Sequence, residues 1–184
     1  MEKISKSSDF HLQIIATGSH LSNQFGSTFH EIEDDGFVID RKIEILSVSD
    51  SSVGVANSMS LCLIGMANAF EELKPNLVLV LGDRSEILAS AQAAMLCRIP
   101  IAHISGGEAT FGLIDDPIRH SVTKMSAFHF ASIDSYARRI IQMGELPERV
   151  FVVGAIGLDN IKNMHLMDRK ALSERTGVNF ENNI

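Results

Sequence analysis

The sequence predicts an α/β fold, a doubly wound parallel sheet of the Rossmann-like type, and three observations support it. An uninterrupted apolar run at residues 77–81 is typical of a strand that is covered on both faces. Runs of this kind alternate with segments of helical composition through most of the 184 residues. Polar clusters follow the strands that end at Leu81 and Ile104, and open parallel sheets bind ligands at the carboxyl ends of their strands.

The order of the elements follows from this alternation. Strands are predicted at residues 10–16, 42–48, 77–81, 101–104, 128–131 and 150–153. Helices are predicted at residues 22–34, 53–73, 85–98 and 135–143, with a further helix that begins near residue 116. Parallel strands joined by helices are connected by right-handed crossovers. We expect residues 1–160 to form one domain, and residues 161–184, with a weak helical segment at 171–175, to be a linker or the start of another domain.

Composition excludes several classes of protein. A net charge of -7 and the absence of a basic run argue against a nucleic-acid partner. A hydrophobic content of 45% indicates a well-buried globular protein. No apolar run approaches the ~20 residues of a membrane span, and the N-terminus lacks the apolar region of a signal peptide, so we expect a cytoplasmic protein with no membrane partner. Cys62 and Cys97 are expected to be reduced core residues.

The first polar cluster lies at the turn after residues 77–81. Asp83 and Glu86 have the spacing of a capping box, in which Asp83 accepts a backbone N–H bond and Glu86 reaches back. A cap leaves Arg84 unexplained, since its side chain would point from the first helical turn toward the carboxyl edge of the sheet. A guanidinium at a helix N-terminus suits a diphosphate. Both interpretations of this cluster, the structural cap and the anion site, remain open at this point.

The second cluster, Ser-Gly-Gly-Glu at residues 105–108, combines two glycines with an acid. Glycines permit close approach of a ligand to the backbone, although an ordinary surface turn has the same composition. No G-x-G-x-x-G sequence follows a strand, so we expect no dinucleotide cofactor, and no metal site is predicted. His103 and His129 lie in apolar strands and are expected to be core residues or to support the site from behind.

The third cluster begins a helix. Pro117 suits the first helical position and Asp116 the N-cap, which would leave Asp115 free to project. Arg119 and His120 follow within the same six residues. A solvent-exposed helix face is the simpler interpretation. Two carboxylates, an arginine and a histidine at a helix N-terminus are nevertheless suited to acid–base chemistry on an anionic substrate.

Together these clusters resemble the UDP-N-acetylglucosamine 2-epimerase family, and most closely its hydrolysing branch in the sialic-acid pathway. The motifs are G-D-R at 82–84, H-I-x-G-G-E at 103–108 and D-D-x-I-R-H-x-x-T-K at 115–124. Residues 16–28 and 153–159 fit the same branch, so the resemblance runs from about residue 10 to residue 160.

The resemblance implies one half of a glycosyltransferase-B-like fold, in which two Rossmann-like domains enclose the active site. Enzymes of this branch remove the C2 proton of the UDP-sugar, expel UDP, and add water with inversion at C2 to release N-acetylmannosamine, without a cofactor. The resemblance also implies a UDP-sugar substrate and a homo-oligomer for the full-length enzyme. It implies catalytic roles for Asp83, Asp115, Glu108 and His120, and substrate binding by Arg84, Asp116 and Arg119.

Three departures from the family pattern affect these expectations. Ser105 stands where several relatives carry a catalytic glutamate, so Glu108 or an acid acting through water must substitute, or the substrate is a different sugar, such as the 2,4-diacetamido-trideoxy sugar of legionaminic acid synthesis. The family's first strand with its G-x-R-A-E-Y loop, and its whole second domain, have no counterpart in residues 1–184. We therefore expect a split sheet and negligible activity. The alternatives are a nucleotide-sugar glycosyltransferase, which has the same two-domain fold, and a truncated chain without catalytic function.

Overall fold

The computed structural model describes residues 1–45, 51–164 and 166–180. Within these residues, six strands alternate with helices. The strands are β1 (Ile15–Thr17), β2 (Arg41–Ile43), β3 (Val78–Leu81), β4 (Ile101–Ile104), β5 (Phe128–Ala131) and β6 (Val150–Val152). The helices are α1 (Glu2–Ser5), α2 (Phe29–Asp34), α3 (Ser52–Leu73), α4 (Ser85–Leu96), α5 (Asp115–Met125), α6 (Asp134–Gln142), α7 (Ile156–Asn163) and α8 (Arg169–Thr176).

The strands form two parallel sheets. One has the order β3-β4-β5-β6, and the other consists of β1 and β2. Parallel strands connected by helices confirm the predicted α/β class. Among the described residues β1 pairs only with β2 and β3 only with β4, which agrees with the expectation of a split sheet.

One face of the four-stranded sheet is covered and the other is open. Val80, His103 and His129 are in register on one face, which α3, α4 and α5 cover. Side chains alternate between the two faces of a strand. The opposite side, which we call the open sheet face, carries four exposed apolar side chains: Leu79, Leu81, Phe128 and Phe151.

Helix α3 is the principal helix of the core. The side chain of Ser51 accepts a hydrogen bond from Gly54 N at 3.1 Å and caps its N-terminus. Cys62, Met66 and Phe70 are buried in the cluster that α3 shares with α4. By length and composition α3 could cross a membrane, although it contains no uninterrupted apolar run of that length. A core helix of an α/β protein meets the same criteria, and the buried side of α3 packs in that way.

Several element boundaries differ from the prediction. The helix expected at residues 22–34 is shortened to α2, because Ser27 and Gly26 adopt positive φ values of 48° and 85° that no helix continues through. Helix α7 begins at Ile156, soon after β6, and was not predicted. Residues 46–48 of the second predicted strand lie outside the described residues. Cys97 is exposed just beyond the end of α4, whereas Cys62 is buried as predicted.

Candidate functional site

The first and third polar clusters meet at the carboxyl edge of β3, and Arg119 joins them. Its Nη2 donates hydrogen bonds to Asp83 Oδ2 and, at 2.9 Å, to Thr110 Oγ1. Its Nη1 lies 3.8 Å from Asp116 Oδ1. The side chains of Arg119 and Asp83 are only 7% and 19% exposed. One guanidinium therefore connects the turn after β3, the loop before α5 and α5 itself.

Burial disfavours the positive charge of the Arg119 guanidinium. Burial is the largest cause of the shift in the pKa of Arg119, which is lowered from its usual value. Among the described residues Arg119 Nη1 is buried without a hydrogen-bond partner. Buried donors in folded proteins are almost always paired with protein or water, or with a bound ligand. Nη1 has the 3.8 Å ion pair with Asp116 Oδ1, and its capacity to donate a hydrogen bond is unused among the described residues.

Asp116 holds the loop before α5 rather than capping the helix. Its Oδ1 accepts a hydrogen bond from Thr110 N at 2.7 Å, and its Oδ2 lies 3.7 Å from His120 Nε2. The predicted N-cap role was wrong, because α5 begins two residues earlier than predicted, at Asp115, with Ile114 as its N-cap. Pro117 is consequently the third helical residue rather than the first. His120 Nδ1 is a second buried nitrogen without a hydrogen-bond partner in the part of the chain that is described.

The capping box predicted for α4 does not form. Arg84 occupies the N-cap position without a side-chain cap, since the helix begins at Ser85. Asp83 pairs with Arg119 instead of a backbone N–H group. Glu86 accepts hydrogen bonds from Arg84 Nε at 3.4 Å and Arg84 Nη2 at 3.2 Å. Both acids thus have guanidinium partners, which form stronger charge-assisted hydrogen bonds than a neutral amide.

Two further predicted acids lie at the same edge without joining the Arg119 cluster directly. Asp115 is half-buried at the start of α5, and among the described residues its carboxylate has no hydrogen bond or ion pair, as expected for a projecting side chain. Glu108 Oε1 accepts a hydrogen bond from Ser132 Oγ at 3.0 Å, which directs it toward the end of β5. Ser105, between β4 and Glu108, has a positive φ of 63°, an unusual conformation for a residue other than glycine.

His103 supports the turn that carries Asp83. Its Nε2 donates a hydrogen bond to the Gly82 carbonyl at 2.8 Å, and its Nδ1 lies 3.3 Å from Thr123 Oγ1. Burial lowers the pKa of His103 to about 4, so the ring is neutral near pH 7. His129 is equally buried, and burial also lowers its pKa, although Glu145 opposes the shift. Both histidines are buried in the core, as predicted, and His103 also supports the site through Gly82.

The contribution of Thr110 could not be predicted. It lies in a loop with no motif, and its importance comes from two contacts, through Oγ1 to Arg119 and through N to Asp116. Within residues 1–45, 51–164 and 166–180 no group of three or more His, Cys, Asp or Glu side chains is arranged to hold a metal ion. The chemistry at this edge is that of carboxylates, guanidinium groups and a histidine.

Similarity to known proteins agrees with this geometry. The family model described as UDP-N-acetylglucosamine 2-epimerase matches residues 2–183. A GDP/UDP-N,N'-diacetylbacillosamine 2-epimerase (hydrolyzing) of Campylobacter jejuni is 46% identical over 94% of this chain, and the polysialic acid biosynthesis protein P7 of Escherichia coli is 40% identical over 92%. These alignments span 44% and 43% of the two relatives, so the chain spans less than half of their length.

Solved structures show the same architecture. The UDP-GlcNAc 2-epimerase of Methanocaldococcus jannaschii in complex with UDP-GlcNAc and UDP superposes with a TM-score of 0.79 and 22% identity, over 95% of this chain and 48% of that one. The Neisseria meningitidis enzyme bound to UDP-GlcNAc superposes with a TM-score of 0.75 and 19% identity, over 96% of this chain and 49% of that one. At these identities the superpositions establish the fold. Together with the family match, they show that the chain belongs to the UDP-N-acetylglucosamine 2-epimerase family.

Proposed function

We propose that residues 1–184 form the part of a hydrolysing UDP-sugar 2-epimerase that carries its acid–base groups. The observation that carries the proposal is the Arg119 cluster, in which a buried guanidinium holds Asp83 beside Asp116 at the carboxyl edge of β3. Asp115 stands at the same edge with an unpaired carboxylate among the described residues. The family match and the names of the relatives support this chemistry.

The proposed reaction has two steps. A carboxylate, Asp83 or Asp115, takes the proton from C2 of the sugar while the bond from C1 to the diphosphate oxygen breaks, which leaves a glycal and UDP. Water then adds, with its hydroxyl group on C1 and a proton on the opposite face of C2, so that the free sugar has inverted configuration at C2. Acid and base roles can be divided between neighbouring carboxylates because their environments give them different proton affinities.

The cluster suggests a different role for Arg119 from the one implied by the family resemblance. Its contact with Asp83 and its burial make it a positioning residue that fixes the Asp83 carboxylate at this edge. Arg84 is 66% exposed at the N-terminus of α4, where a diphosphate is favoured. Glu108 and His120 remain proposed catalytic groups, and Asp116 a proposed substrate contact.

The sugar is proposed to be UDP-N-acetylglucosamine, with N-acetylmannosamine as the product for sialic acid or a related nonulosonate. The second candidate is UDP-2,4-diacetamido-2,4,6-trideoxyglucose. Two observations favour it, the name of the 46% identical relative and the serine at position 105. We further propose a cytoplasmic, homo-oligomeric enzyme, in which residues 1–160 are one domain and residues 161–184 lead toward another.

Release of UDP tests the proposal. A protein extended to the length of the relatives is incubated with each UDP-sugar in D₂O, without an acceptor sugar. We expect release of UDP and one deuterium at C2 of the product, whereas a glycosyltransferase requires an acceptor. A folded full-length protein that releases UDP from neither sugar would refute the epimerase proposal.

Residues 1–184 alone provide the matched comparison. We expect negligible UDP release from them, because a catalytic cleft that holds its reacting groups together supplies effective molarities of ~10⁵ M or more. Robust turnover by residues 1–184 would show that the remaining length of the relatives is not needed for this chemistry.

A further inference from the structure

Glu86 is packed between Arg84 and the backbone at Gly18. Its side chain is 14% exposed, and its carboxylate accepts two hydrogen bonds from the Arg84 guanidinium, at 3.4 and 3.2 Å. Ser85 Oγ donates a third, at 3.2 Å. On the other side, a Cβ atom placed on Gly18 would lie 2.7 Å from Glu86 Oε1. The position of this carboxylate therefore depends on glycine at residue 18.

The arrangement matters because Arg84 is otherwise unrestrained. Its side chain is 66% exposed, and a free arginine samples many rotamers, which a ligand must restrict when it binds. Contact with Glu86 through both Nε and Nη2 restricts the guanidinium before any ligand arrives. Ordering a contact residue in advance removes part of the entropy loss of binding.

We propose that Glu86 is a positioning residue that holds Arg84 for the diphosphate of the nucleotide, and that Gly18 is required because it leaves space for Glu86. This inference rests on the proposed role of Arg84. The alternative is an ion pair of no consequence, since many exposed ion pairs contribute nothing measurable. The low exposure of Glu86 and its close approach to Gly18 favour the positioning role.

The structure offers a matched pair of glycine substitutions. Gly18 and Gly36 both have positive φ, 64° and 85°, so alanine is strained at either position. The added Cβ meets Glu86 at Gly18, whereas at Gly36 no atom of the described residues beyond its chain neighbours lies within 4 Å of it. Gly18→Ala, Gly36→Ala, Glu86→Ala, Glu86→Gln and Arg84→Ala are prepared in ¹⁵N-labelled residues 1–184, together with the double variant Gly18→Ala/Glu86→Ala.

Two quantities are measured by NMR: the Nε–H signal of Arg84, assigned by its loss in Arg84→Ala, and the Kd for added UDP. In Gly36→Ala both are expected to equal those of the unsubstituted chain. In Gly18→Ala and Glu86→Ala the Arg84 Nε–H signal moves to the chemical shift of a free arginine, and its hydrogen exchanges rapidly with solvent. The Kd for UDP rises by about fivefold in both variants. Glu86→Gln, which keeps an acceptor, lies between. The double variant resembles Glu86→Ala, because no carboxylate is left to displace.

Other results overturn the inference in distinguishable ways. If Gly18→Ala behaves as Gly36→Ala does, the space at Gly18 is unimportant and the proposal fails. If Glu86→Ala binds UDP as tightly as before, Glu86 does not position Arg84 and the proposal fails. If it binds UDP more tightly, the negative charge of Glu86 opposes the diphosphate and the proposal fails as well. If Arg84→Ala weakens UDP binding while Glu86→Ala does not, the role of Arg84 stands and only the positioning role is lost. If UDP causes no shifts, or Arg84→Ala leaves the Kd unchanged, the proposed role of Arg84 fails as well.

Discussion

Replacing Asp83 by Asn tests whether the Arg119 cluster is a buried ion pair on which the fold depends. The substitution keeps the shape of the side chain and removes its charge, so the guanidinium of Arg119, which is 7% exposed, loses its principal counter-charge. Loss of one partner from a buried pair destabilises proteins by about 3–5 kcal/mol. Because asparagine can still accept a hydrogen bond from Arg119, we expect the lower end, about 3 kcal/mol. A helix-capping role would predict less than ~1 kcal/mol, since asparagine also caps.

The assay is urea unfolding of residues 1–184, with Asp115→Asn as the control. That control makes the same chemical change at a carboxylate without a partner among the described residues. We expect it to alter the free energy of unfolding by less than ~1 kcal/mol, the range of a charge in the first helical turn. In Asp83→Asn/Arg119→Met, which removes both charges, we expect stability to recover in part. Equal effects of Asp83→Asn and Asp115→Asn, both below ~1 kcal/mol, would refute this account.

Three further outcomes are expected. In the full-length protein Asp83→Asn and Asp115→Asn should each reduce kcat by ~10²-fold or more while the UDP-sugar still binds, and near-normal kcat in both would remove the support for this site. Because burial lowers the pKa of His103 to about 4 from 6.5, the unfolded chain takes up the proton first as the pH falls. The free energy of unfolding is therefore unaffected by His103 above pH 6.5 and falls by about 3 kcal/mol in total between pH 6.5 and 4. His103→Gln should flatten this part of the pH dependence of unfolding. Leu79→Lys on the open sheet face should reduce self-association of residues 1–184, measured by light scattering. An unsubstituted chain that is already monomeric and melts sharply would contradict the expectation that this apolar face is exposed.

Strands that are marked by a continuous apolar run were predicted well from the sequence. The apolar run at residues 77–81 became β3, and the strand at 101–104 was located to the residue. The same reasoning was less successful at residues 22–34, where single residues with positive φ interrupt the helix. Fold class and the carboxyl edge could therefore be inferred from patterns that repeat along many residues, whereas boundaries depended on one or two positions.

Side-chain partners in the site were predicted less well, for a physical reason. Asp83 and Glu86 have the spacing of a capping box, yet Asp83 pairs with Arg119, which is 36 residues away in the sequence. Spacing reveals which backbone groups a side chain can reach, but not which distant charge the fold brings to it. Thr110 illustrates the same limit, because both of its contacts are made by the third cluster.

The order β3-β4-β5-β6 also bears on how the molecule assembles. In this sheet the spatial order of the strands equals their order in the chain, so every strand pairs with its predecessor after a single helical connection. Pairing of consecutive strands closes shorter loops than pairing of more distant strands would, which lowers the entropy cost of loop closure. Among the described residues, β1 and β2 do not pair with this sheet, and β2 packs against α3. Amide hydrogens of the four-stranded sheet should therefore exchange most slowly with solvent, and those of β1 and β2 should be released earlier, as a separate cooperative unit.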